Sequence, residues 1–69
     1  MNQAVYNYWK EKIVKYLRKK RKAVSLDQMS EELESHKATV LRWVNILELQ
    51  GILKTEIIER KKYVELVRE

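Results

Sequence analysis

Residues 25–53 read SLDQMSEELESHKATVLRWVNILELQGIL, and the apolar spacing in this stretch predicts two helices meeting at a tight turn. Ser25 followed by Gln28 has the form of a capping box, in which the hydroxyl accepts from the Gln28 N–H and the Gln28 amide reaches back. Leu26, Met29 and Leu33 then share one face of a short helix. Ser30 lies on the same face and is small enough for another helix to approach closely. Glu34 and Ser35 interrupt the pattern. A second helix is expected from about His36 to Gln50, with Val40, Trp43, Val44 and Leu47 turned inward. Gly51 ends it, since glycine takes the left-handed conformation past a helix end without steric cost, and Ile52 can fold back on Leu47.

Upstream, residues 3–20 carry helical periodicity: Val5, Tyr6, Trp9, Ile13, Tyr16 and Leu17 fall on one face with Lys and Glu opposite. The basic end of this segment suits the negative pole of a helix C-terminus. Ala23 and Val24 read as a short extended stretch. Downstream the period changes. Residues 52–58 and 63–67 are rich in β-branched and aromatic types, separated by Glu59, Arg60, Lys61 and Lys62, and predict a β-hairpin.

The 69 residues are expected to form one domain spanning 1–69. A chain of this size hides only about 60% of the surface its unfolded form exposes, so its stability is thin. With no Cys in the sequence, disulfides and thiolate-bound zinc are excluded as supplements, which leaves regular helix packing or pairing of two subunits. No apolar run reaches the roughly 18 residues that span a bilayer, and no signal-peptide layout is present. A cytoplasmic protein is therefore expected, without a membrane partner.

The net charge of +5 is unevenly spread. Lys10 to Lys22 holds eight basic residues against Glu11 alone, whereas Asp27, Glu31, Glu32 and Glu34 follow with no base among them. Segregated charge on a basic chain points to a polyanionic partner. For Arg18 to Lys22 two readings stay open: contact with phosphate, or a solvated run that complements a helix dipole.

A short helix, a tight turn, a longer helix closed by Gly and a hairpin with basic residues follow one another in the order of a winged helix. Residues 25–53 resemble the helix-turn-helix core of prokaryotic winged-helix regulators, with Leu26, Met29, Ser30, Leu33, Thr39, Val40, Arg42, Leu47 and Gly51 in register. Small stand-alone regulators of archaea and their viruses or plasmids look similar. The resemblance implies an α+β fold of three helices with a C-terminal hairpin wing, and a nucleoid-associated protein that binds double-stranded DNA to regulate transcription. Three positions depart from the family pattern. Glu34 stands where Gly is usual and would cost about 1–2 kcal/mol if left-handed. Ser35 replaces an apolar residue, and His36 replaces the usual Ser or Thr cap, so Ser35 is a candidate cap that would start the helix one residue early.

A helix fits the major groove of B-DNA and directs side chains at base edges. On the second helix the face opposite Val40, Val44 and Leu47 is formed by Ala38, Leu41, Arg42 and Asn45, with Lys37 and Thr39 flanking. Arg42 can pair bidentately with guanine, Asn45 with adenine, and Leu41 can meet a thymine methyl. Ser35, His36, Lys37 and Thr39 lie at the helix start and suit phosphate. The resemblance places the wing, residues 59–62 with Arg60, Lys61 and Lys62, along the flanking backbone or minor groove. Ile46 and Leu49 are expected under the first helix or the hairpin. Together with Val14 and Tyr8, which lie off the inward face of the first helix, they suggest a homodimer.

Catalysis has little support. The sequence has one His, one Asp, no Cys and a single Gly, so no phosphate loop, metal-ligand spacing or nucleophile arrangement emerges. No cofactor, metal or small-molecule ligand is expected. Two rival functions remain: a winged helix used for protein–protein assembly, and a non-specific architectural DNA binder.

Overall fold

The computed structural model describes residues 2–67. Asn2 starts the first helix by accepting hydrogen bonds from the Ala4 and Val5 N–H groups, at 2.8 and 3.3 Å. Helix α1 runs Gln3–Lys20 and strand β1 is Val24–Ser25. Helices α2 (Leu26–Glu32) and α3 (Lys37–Leu49) follow, then strands β2 (Leu53–Ile58) and β3 (Lys61–Leu66). The sheet is antiparallel in the order β1-β3-β2. Three helices on a three-stranded antiparallel sheet make an α+β domain, a layout compatible with the winged-helix expectation. Among the described residues no helix is long and apolar enough to cross a membrane.

Ser25 caps α2, its hydroxyl accepting from the Gln28 N–H at 3.1 Å. The Gln28 amide does not reach back; it donates to Glu32 at 3.4 Å, so half of the capping box forms. Ser30 is buried and its hydroxyl is satisfied by the Leu26 carbonyl at 2.8 Å, which lets α3 pack closely over it without an orphan polar group.

All three helices end on a left-handed residue, and only one of these is glycine. Arg21 (φ 59°) closes α1 by donating to the Leu17 carbonyl at 3.0 Å. Gly51 (φ 75°) closes α3 with bonds from Gly51 N–H to Glu48 and from Ile52 N–H to Leu47. Glu34 (φ 52°) closes α2 in the same way, with Glu34 N–H on Glu31 and Ser35 N–H on Ser30. That geometry corrects the expected role of Ser35. Its backbone is engaged in ending α2, its hydroxyl donates to the Leu33 carbonyl at 3.1 Å, and the N-cap of α3 is His36. Helix α3 does not start early.

The hairpin corrects the wing boundary. Ile58 pairs with Lys61 and Ile57 with Lys62, so the turn is Glu59-Arg60 alone and both lysines belong to β3. Both turn residues have positive φ, 49° and 70°, as a two-residue turn that matches strand twist requires. Neither is the Gly or Asn usual there.

The core gathers Val40, Trp43, Val44 and Leu47 of α3 over Ile13, Leu17, Met29, Leu53 and Val64. Val14 belongs to this core at 7% exposure and is not surplus. α1 packs against both α3 and β3, which buries a wider arc than a single stripe. Trp9 stacks on Trp43 with centroids 6.3 Å apart, and Tyr6 donates to Gln50 at 2.5 Å, fixing the start of α1 to the end of α3. Between α1 and α2, Tyr16 donates to Glu32 at 2.5 Å and Lys20 meets the same carboxylate at 3.0 Å. The Tyr16 and Lys20 contacts hold the Glu32 carboxyl below its ordinary pKa, while burial and then Glu32 push the Tyr16 phenol well above 10.0.

Two predictions follow from strain and charge. Glu34→Gly should raise stability by about 1 kcal/mol, and Gly51→Ala should lower it by about as much, both read as shifts of the urea midpoint at constant slope. Glu32 has a depressed folded-state pKa, so its contribution is present above the ordinary carboxylate range and is lost as pH falls through it. Thermal melts from about pH 7 to about pH 3 should therefore show a smaller acid loss in Tyr16→Phe than in the parent.

Candidate nucleic-acid interface

Packing of one face of α3 leaves the opposite face to solvent, because successive helix residues turn by about 100°. Ala38, Arg42, Asn45 and Leu49 occupy that outward arc and are exposed. Among the described residues, Arg42 makes no ion pair or side-chain hydrogen bond, so its guanidinium donors are uncommitted. Leu49 is 89% exposed, which corrects the expectation that it packs under the first helix or the hairpin. Ile46 does pack against the core edge, as does Leu41 on the flank nearer the hairpin.

Between the start of α3 and the hairpin lies a depression of about 240 Å³. Lys37 and Leu41 of α3, Ile57 of β2, and Arg60, Lys61 and Lys62 of the turn and β3 line it, together with Leu26 and Asp27. Four cations face one carboxylate there, a formal balance of +3. The sheet register explains the convergence. Ser25 lies opposite Tyr63, so the chain continuing into Leu26 and Asp27 runs beside Lys62 and Lys61.

Lys62 shares the helix-facing side of β3 with Val64, and its ammonium donates to Asn45 Oδ1 at 3.3 Å. An ammonium has no acceptor, so the contact orients the Asn45 amide: oxygen towards the hairpin, N–H₂ outward. Asn45 Oδ1 keeps a second lone pair beside the Lys62 contact, and the N–H₂ group is left to donate.

The structure thus brings Lys37, Leu41, Asn45, Arg60, Lys61 and Lys62 together and sets Ala38 and Arg42 on the adjoining face. Thr39 is half-buried on the flank away from the hairpin, roughly 200° round the helix from Leu41. Ser35 is engaged in the turn. His36 is exposed and makes no side-chain cap to α3, so its imidazole is not the cap. The run Arg18 to Lys22 lies elsewhere: Lys20 pairs with Glu32, and Arg18, Arg21 and Lys22 border a depression with Glu65 and Leu66, at the end of β3 away from the turn.

One pairing has no signal in the sequence. Asp27 binds Lys37 through a 2.6 Å ion pair, which draws its carboxyl below the ordinary range with help from Lys61. As the sole Asp in the first turn of a helix it reads as dipole complementation. Only the crossing of α2 and α3 reveals its partner. Compared with protein-family models, curated proteins and solved structures, the chain has no match. Its own residues must carry the functional reading.

Proposed function

We propose that this protein is a winged helix-turn-helix that binds double-stranded DNA sequence-specifically, as a transcriptional regulator. α3 enters the major groove, and the β2–β3 hairpin follows the flanking backbone or minor groove. The observation that carries this reading is the uncommitted Arg42 on the outward face of α3, beside a depression with a formal charge of +3. A helix about 10–12 Å across fits a groove about 12 Å wide. Arg42 and Asn45 are one turn apart on that helix and can address neighbouring bases, Arg42 through its bidentate fork. Lys37, Arg60, Lys61 and Lys62 supply charge for phosphates, which set affinity and position but carry no sequence information.

Pairing of two copies rests on what remains apolar at the surface after packing, chiefly Leu49, Ile57 and Tyr8. A two-fold dimer would read a pseudo-palindrome with half-sites about 10 bp apart or a multiple of that. A location with the nucleoid belongs to the same proposal.

A second reading, a winged helix used for protein assembly, is favoured by Leu49 standing on the same outward face as Arg42. Salt titration separates the two. Neutralising five to eight phosphates makes log affinity for duplex DNA fall with log salt at a slope of roughly −4 to −7. Absence of duplex binding at low salt would exclude the DNA reading. An architectural binder would show no preferred site, whereas a regulator binds its site at least about a thousandfold more tightly than random duplex.

Arg42→Ala should lose about 1–3 kcal/mol on the preferred sequence and relax selectivity at one base pair, read by selection from a random duplex pool. Lys61→Ala should weaken all duplexes alike and flatten the salt slope by about one. Unchanged affinity and selectivity in Arg42→Ala would contradict the docking of α3.

A further inference from the structure

We propose that Asp27 is a built-in stand-in for phosphate, which occupies Lys37 in the free protein and holds down the affinity for every duplex alike. This inference rests on the DNA reading and adds to it a residue that limits binding strength.

The ion pair between Lys37 Nζ and Asp27 Oδ1 is 2.6 Å long and lies in the depression that Arg60, Lys61 and Lys62 also line. It is the one carboxylate among the cations of that depression. Both partners are more than half exposed, so the pair opens to an incoming anion without breaking the core. A DNA phosphate arriving between α3 and the hairpin meets Lys37 already neutralised and Asp27 repelling it. Binding requires Lys37 to exchange one anionic oxygen for another. The exchange is close to even for Lys37, and the repulsion from Asp27 stays. Lys37 and Lys61 keep the Asp27 carboxyl below the ordinary range, so it is charged at neutral pH.

The contact engages Lys37, a cation assigned to phosphate, and neither Arg42 nor Asn45, the side chains assigned to bases. It therefore scales affinity without altering which bases are preferred, because phosphates are common to all sequences. Its physical consequence is a lower residence on DNA at a given salt concentration. A modest exposed pair implies a modest effect.

The test compares the parent with Asp27→Asn on the selected duplex and on random duplex over a range of salt. Asp27→Asn should bind both about two- to fivefold more tightly, with an unchanged ratio between them and a salt slope steeper by up to about one. In a Lys37→Met background the gain from Asp27→Asn should shrink, since the cation it releases is gone. Parent binding with no gain in Asp27→Asn, or with a loss, would overturn the inference while leaving the DNA reading intact. Failure of the parent to bind any duplex would count against the DNA reading instead.

A second arm needs no DNA. Inorganic phosphate titrated into each protein should shift the backbone amides of Lys37, Arg60, Lys61 and Lys62, at lower concentration in Asp27→Asn than in the parent. Equal concentrations, or no shift in either, would overturn the role of Asp27. Matching thermal melts establish that the variant is folded.

Discussion

Burial of Val40, Trp43, Val44 and Leu47 on one side of α3 is the constraint from which the outward surface follows. Those four side chains close over Ile13, Leu17 and Met29 on the helical side and Leu53 and Val64 on the sheet side. A helix held on that arc must present Ala38, Arg42, Asn45 and Leu49 to solvent, whatever their chemistry. The hairpin is bound to the same constraint. Leu53 and Val64 anchor its base in the core, and antiparallel pairing then carries Lys62 up beside Asn45 and the turn out beside Lys37. One packed stripe thus positions both halves of the candidate interface.

The same stripe works against a small reserve of stability. Arg21, Glu34, Glu59 and Arg60 all adopt left-handed backbone conformations that glycine would take without cost. Each non-glycine residue there opposes folding by an amount comparable with a good hydrogen bond. They sit where the chain must reverse, at two helix ends and the hairpin turn, and all four are charged and exposed to solvent. Arg60 is the instructive case. At the tip of a two-residue turn, glycine would relieve strain but would remove a cation from the lining of the depression.

Much of the fold was legible because period carries it. Periodicity places the first helix over the residues it occupies, and spacing alone identifies the four inward residues of α3. The signals failed where identity contradicts conformation or where two elements meet. Glu59-Arg60 gave no Gly or Asn to mark a tight turn, so four charged residues read as one loop and Lys61 and Lys62 were placed outside their strand. Val14 looked superfluous because one stripe accounts for a helix packed on one neighbour, whereas α1 has two. Ser35 has the chemistry of a cap, but its N–H closes the preceding helix. Within the site, residue types pointed to Arg42 and the hairpin cations. The Asp27–Lys37 pair and the orientation of the Asn45 amide arise only from distances between elements distant in sequence.

The central claim is that the exposed arc of α3 and the adjoining hairpin form the surface that meets a duplex. Backbone amide shift mapping during titration with a short duplex at low salt tests it residue by residue. Perturbations concentrated at residues 36–45 and 57–62, with α1 unaffected, are the predicted result. Shifts confined to the outer face of α1 around Tyr8 and Lys12, with Arg42 and Asn45 unmoved, would contradict it.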